Sequence, residues 1–172
     1  EAKGMATKAT LKSYNVTDNL SELEEEAVNN GLLISNHSYG VPVSSALEDD
    51  ASWLMGAYYF SARFIDLIAN SAPYHLSVFA AGNSGNNYYE DAIKKGFDQL
   101  TTYTVAKNNL VVANASSAEI DSNGDLLRGF TEVNFSSSKG PTDDGRVKPD
   151  LTALGTNILS ASNESVSSYA RS

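Results

Sequence analysis

Short apolar runs closed by glycine and polar clusters alternate along this chain with stretches whose apolar residues recur every three or four positions. That alternation predicts an α/β fold. Gly31–Asn36, Leu76–Ala81 and Leu110–Ala115 are short apolar runs and are predicted as buried strands. Leu20, Leu23, Ala27 and Val28 keep helical spacing, Ser21 and Glu24 have the separation of a capping box, and Asn29-Asn30-Gly31 stops the helix. With the alternating run Ala9–Val16 before it as a strand and Gly31–Asn36 after it, this makes a βαβ unit. Ala51 to Asn70 carries Trp53, Leu54, Ala57, Phe60, Phe64, Ile65, Leu67 and Ile68 on a helical repeat, which predicts one long amphipathic helix with core aromatics. Ala9 to Val16 alternates as a strand does, and Ile93 to Leu100 has weak helical periodicity.

The run from Leu76 breaks off at Gly82-Asn83-Ser84-Gly85, so the turn presents Asn83 at a strand's carboxyl end, where sites of open sheets collect. Three roles fit that asparagine: a donor to a developing oxyanion, a turn residue bonding its own backbone, or part of an anion-binding glycine loop. No Gly-x-Gly-x-x-Gly or phosphate-loop lysine follows, which disfavours the third. Asn36-His37-Ser38-Tyr39-Gly40 also stands at a strand end, where extended backbone can pair with a peptide. His37, with no visible partner, reads as a structural histidine rather than a base, and His75 reads as a surface residue. Asp121-Ser122-Asn123-Gly124-Asp125 between Ile120 and Leu126 favours a hairpin over a calcium loop, because the spacing to a bidentate glutamate is missing. Glu22, Glu24, Glu25 and Glu26 read as a solvated helix face rather than a metal site.

Composition narrows the partners. With 172 residues and 41% apolar content the chain fits one domain, and no internal repeat or low-complexity linker divides it. A net charge of -9 argues against nucleic acid and anionic membrane surfaces. There is no cysteine, so thiolate catalysis and disulfides are excluded. No run reaches the roughly 18 apolar residues of a membrane span.

Ser35-Asn36-His37-Ser38-Tyr39-Gly40, Ala80-Ala81-Gly82-Asn83-Ser84-Gly85, and the stretch from Ser137 through Gly140-Pro141-Thr142-Asp143-Asp144-Gly145-Arg146-Val147-Lys148-Pro149-Asp150 to Gly155 follow one another in that order. Together these three blocks resemble the subtilisin-like serine proteases, the subtilase family. Gly4-Met5-Ala6 with Ala9 and Leu11 is a weaker match. Thr7 and Leu154 stand where the family often has proline, and Ser136-Ser137-Ser138-Lys139 is one residue long or shifted.

The resemblance implies a three-layer, doubly wound, mostly parallel α/β sheet, truncated at both ends. It implies that Asn83 is the side-chain oxyanion donor, that Ser38, Tyr39 and Gly40 bind the substrate backbone, and that Ala80, Ala81 and Gly82 wall the pocket for the residue before the scissile bond. In the family's Asp, His, Ser order the first two blocks lie before Ala9–Val16, and the serine's Gly-Thr-Ser-Met-Ala block follows Tyr169-Ala170-Arg171-Ser172. Residues 1–172 are thus expected to be a partial catalytic domain, inactive alone, from an extracellular or cell-envelope endopeptidase acting on peptides or proteins. The resemblance implies no cofactor or metal within these residues and allows calcium in the parent protein. Exposed sheet surface is expected to promote self-association. The alternative is a degenerate subtilase-like module that binds peptides without chemistry.

Overall fold

β1 (Ile34–His37), β2 (Leu76–Ala80) and β3 (Leu110–Ser117) stand side by side in parallel, as the three apolar runs predict. This computed structural model describes residues 6–171 apart from 17, 18, 94, 118, 126, 128–130, 163, 164, 166 and 167. Beyond β3 the mostly parallel α/β sheet gains β4 (Glu132–Val133), antiparallel, and β5 (Leu151–Leu154), parallel, while β6 (Leu159–Ala161) and β7 (Tyr169–Arg171) form a separate antiparallel ribbon. Ile34 pairs with Leu76 and His37 with Phe79, so β1 and β2 end side by side.

Parallel neighbours need a crossover, and α3 (Phe60–Ser71) supplies it between β1 and β2. Its Ala62, Ile65 and Ile68, spaced three apart, are buried, and they meet Leu23 and Ala27 of α1 (Asn19–Val28) over Phe79 and Val111 of the sheet. Each large aliphatic or aromatic side chain buried there contributes about 2 kcal/mol of transfer free energy. A smaller cluster of Val43, Ala46 and Met55 lies under α2 (Val43–Glu48), a helix that the periodicity does not predict.

The expected helix from Ala51 to Asn70 is instead a short 3₁₀ turn, Ser52–Leu54, and then α3. Between them Met55 bridges Thr101, the Gly56 N–H donates to the Leu100 carbonyl at 2.8 Å, and Gly56 takes a φ of +73°. Sheet-like pairing and a left-handed glycine break a helix whose apolar repeat runs on without them. Trp53, Phe60 and Leu67 are accordingly exposed rather than core, and Trp53 meets Tyr59 edge-on with the ring centroids 5.0 Å apart.

Three further expectations change. Ala9–Val16 is exposed coil rather than strand, tethered where Lys12 Nζ and Tyr14 Oη donate to Glu26 at 2.7 and 2.6 Å. Ile93–Leu100 forms no helix in its described residues, and Asp98 has a φ of +61°. Ser21 lies inside the first turn of α1, which begins at Asn19, so it does not start the helix. Gly31 does follow the end of α1 with a φ of +68°. The Asp121 turn is a hairpin turn: the Asp121 N–H donates to the Asp125 carbonyl and the Leu127 N–H to the Glu119 carbonyl, each at 2.9 Å. Gly4, Met5, Leu126 and Ser172 lie outside the described residues.

Candidate functional site

The segments leaving β1 and β2 enclose a cleft of about 460 Å³, at the carboxyl ends of the strands. Ser38, Tyr39, Gly40, Ala80, Ala81, Gly82 and Asn83 all line it, so the fold brings together every site residue nominated from the sequence.

The turn carrying Asn83 is fixed from several sides. Gly82 has a φ of +106°, and a Cβ there would stand 2.9 Å from Ser138 Oγ. The Ser84 N–H donates to that Oγ at 3.0 Å, and the Ser138 N–H donates to the Gly82 carbonyl at 3.0 Å. Gly85 donates to the Ser136 carbonyl at 2.8 Å, and a Cβ on it would meet the carbonyls of Phe135 and Ser137. Buried Gln99 closes the far side: its Nε2 donates to the Gly85 and Asn87 carbonyls at 3.1 and 2.9 Å, and its Oε1 accepts the Lys139 N–H at 3.2 Å. Ser84 Oγ accepts the Val43 N–H at 3.2 Å, so the turn also satisfies a first-turn amide of α2. Asn83 itself is exposed, and its side-chain amide has no hydrogen-bond partner among the described residues.

His37 is a structural histidine, as the sequence suggests. Its Nδ1 lies 2.6 Å from Tyr39 Oη and its Nε2 2.7 Å from Ser35 Oγ, and its ring stacks on Phe79 at 4.5 Å. Burial, with a smaller push from His75, lowers its pKa to about 4, so it is neutral at pH 7. His75 is buried, contrary to the surface expectation, because its Nδ1 donates to the Leu32 carbonyl at 3.0 Å and its Nε2 lies 3.0 Å from Ser77 Oγ. Neither ring is hydrogen-bonded to a carboxylate among the described residues, so neither has the partner that orients a catalytic histidine.

Ser84, Gln99, Thr101 and Ser138 also line the cleft, and no sequence argument nominates them. Gln99, a polar residue in a weak apolar repeat, is the one that pattern could have flagged. Among the described residues no group of three or more histidines or carboxylates is disposed to hold a metal ion. No described helix is long and apolar enough to cross a membrane.

A cleft at the carboxyl ends of parallel strands, walled by backbone-rich segments, defines an open-sheet α/β protein with its site at the strand ends. The chain belongs to the subtilase family of serine peptidases, peptidase family S8, whose family model matches residues 1–172. Among solved structures it is similar to Pseudomonas sedolisin, a serine-carboxyl proteinase complexed with two molecules of pseudo-iodotyrostatin, at 17% identity and a TM-score of 0.44. That match covers 83% of this chain and 43% of the sedolisin chain, so the chain spans less than half the length of that structure. No curated protein matches it.

Proposed function

We propose that these 172 residues are the sheet, pocket wall and half of the oxyanion hole of a serine endopeptidase. In this reading the Asp, His and Ser of the triad come from segments of the parent outside them. The observation that carries it is Asn83: an exposed amide without a hydrogen-bond partner among the described residues, on a turn immobilised by Ser138, Gln99 and the Ser136 carbonyl. A donor fixed before the reaction needs no reorganisation as charge develops on the carbonyl oxygen.

The substrate peptide lies extended between Ser38–Gly40 and Ala80–Gly82, pairing with backbone as an added strand. The serine hydroxyl passes its proton to the histidine as it attacks the scissile carbonyl, and Asn83 Nδ2 donates to the resulting oxyanion. Among the described residues there is a donor but no activated nucleophile, and in this reading the chain alone does not hydrolyse peptides. The parent works on peptides or proteins outside the cell or at its envelope, the setting the family match supports, and calcium is allowed there.

The test is a serine-directed fluorophosphonate probe applied to the folded parent, with the labelled peptide mapped by mass spectrometry. Labelling of a serine in a Gly-Thr-Ser-Met-Ala block downstream of Ser172 is expected. A folded, mature parent that takes no label would overturn this reading and leave a peptide-binding module.

A further inference from the structure

We propose that His37 is a positioning residue for the substrate cleft, fixing the Tyr39 ring in its wall and thereby setting which substrate side chains the cleft accepts. This rests on the cleft being a peptide site. Tyr39 is half-buried and lines the cleft between Ser38 and Gly40. Its hydroxyl reaches His37 Nδ1 at 2.6 Å, and its ring meets His37, Tyr103 and Phe79 edge-on at 5.4, 6.0 and 6.5 Å.

His37 can serve as an anchor because it is itself held. It stacks on Phe79, its register partner across the β1–β2 ladder, with the rings 15° from parallel. Its other nitrogen is 2.7 Å from Ser35 Oγ, which lies 3.1 Å from His75 Nε2. The Leu32 carbonyl, 3.0 Å from His75 Nδ1, can only accept, so His75 Nδ1 carries a proton and Nε2 faces the serine hydroxyl. In either neutral tautomer of His37 one nitrogen donates and the other accepts, and the hydroxyls of Tyr39 and Ser35 can each play the complementary part. Tyr39 is therefore tied, through His37, Ser35 and His75, to backbone just before β1. Losing that bond removes the hold that β1 has on the phenol and leaves the ring's place in the cleft wall to its edge contacts with Tyr103 and Phe79.

The experiment is steady-state kinetics of the parent on peptides that differ in the size of the side chain entering the cleft, using Y39F, H37L, H37Q and the Y39F/H37L double variant. H37L and Y39F are each expected to raise KM for the bulkiest peptide about threefold to tenfold, more than they lower kcat, the scale of one lost hydrogen bond. H37Q, which retains a hydrogen-bonding group toward Tyr39, recovers most of that loss. The double variant is no worse than the poorer single one, because both remove the same link. Unchanged KM patterns in H37L and Y39F, or losses that multiply in the double variant, would overturn the proposal.

A second readout does not need turnover. In ¹⁵N NMR of the folded parent, Y39F is expected to shift the His37 Nδ1 resonance and leave His75 Nδ1 in place. An unmoved His37 resonance overturns the positioning role whether or not the parent cleaves peptides. A shifted resonance in a parent without peptidase activity supports the link and counts against the proposed function alone.

Discussion

The backbone N–H of Ser84 donates to the side-chain oxygen of Ser138 at 3.0 Å, across 54 residues of sequence. Ser138 also returns a bond from its own N–H to the Gly82 carbonyl, so one serine grips the Asn83 turn on both sides. Replacing Ser138 with alanine removes the side-chain half of that grip and leaves the Ser84 amide buried without a partner. In the parent, S138A is expected to lower kcat about tenfold with a smaller change in KM, since a misplaced oxyanion donor costs more in the transition state than in binding. A kcat equal to the wild type in steady-state assays would show that Gln99 and the Ser136 carbonyl hold the turn without it.

How far this architecture is legible in the sequence depends on how local its causes are. The strands β1, β2 and β3 announce themselves because each is a short apolar run, and Asn83 because glycines on both sides force a turn at a strand end. Gly56 shows the limit: its helix-breaking conformation follows from Met55 pairing with Thr101, 46 positions away, which no periodicity contains. Ala9–Val16 fails for the converse reason, since alternation specifies a face but not a neighbour, and here Lys12 and Tyr14 find Glu26 instead of a strand. Ser138 and Gln99 shape the site through contacts with Ser84, Gly85 and Lys139, and single-residue patterns carry no such information.

His37 gives stability a pH dependence of known sign. Its pKa in the folded protein is about 4 against an ordinary 6.5, so within that window the unfolded chain binds a proton that the fold refuses. Stability from this group is complete above pH 6.5, falls as the pH drops toward about 4, and changes no further below it. Urea unfolding from pH 7 to pH 4 is expected to show this decline, and H37Q to flatten it. An equally steep decline in H37Q would place its origin elsewhere.

Asp143 has the opposite sign. Burial first, and then the charges of Asp98 and Asp144, raise its pKa, so its ionised form is disfavoured in the fold. The group contributes most when protonated, and that contribution is lost as the pH rises through its folded pKa. Asp98 Oδ1 is buried nearby with no hydrogen-bond partner among the described residues, which leaves Asp143 no relief from that side. D143N, which removes the charge and keeps the shape, is expected to raise Tm by about 1–3 °C at pH 7, and the gain should shrink in acid. A lower Tm for D143N at pH 7 would mean that the carboxylate makes a favourable contact there.

The amino-terminal ends of β1 and β2 leave Leu33, Ile34 and Tyr74 exposed at 62%, 64% and 87%. Apolar residues at the end of a strand pair offer a contact for a second copy. The isolated chain is therefore expected to associate, with a weight-average mass that rises with concentration in analytical ultracentrifugation. A monomer across the whole series would remove this expectation without bearing on the cleft.

Asn83 is the residue on which the proposed chemistry turns, and its environment makes the experiment clean. Its side chain is exposed and bonds to no other described residue, so N83A should leave Tm nearly unchanged. What it removes is a donor for a negative charge that exists only once the carbonyl has been attacked. In the parent, kcat is then expected to fall about a hundredfold to a thousandfold while KM stays nearly constant, the pattern of an interaction made in the transition state alone. N83D keeps the shape but sets a carboxylate against the developing oxyanion, so it should be no faster than N83A at neutral pH. A parent in which N83A turns over at the wild-type rate would place the oxyanion elsewhere and leave Asn83 as an ordinary turn asparagine.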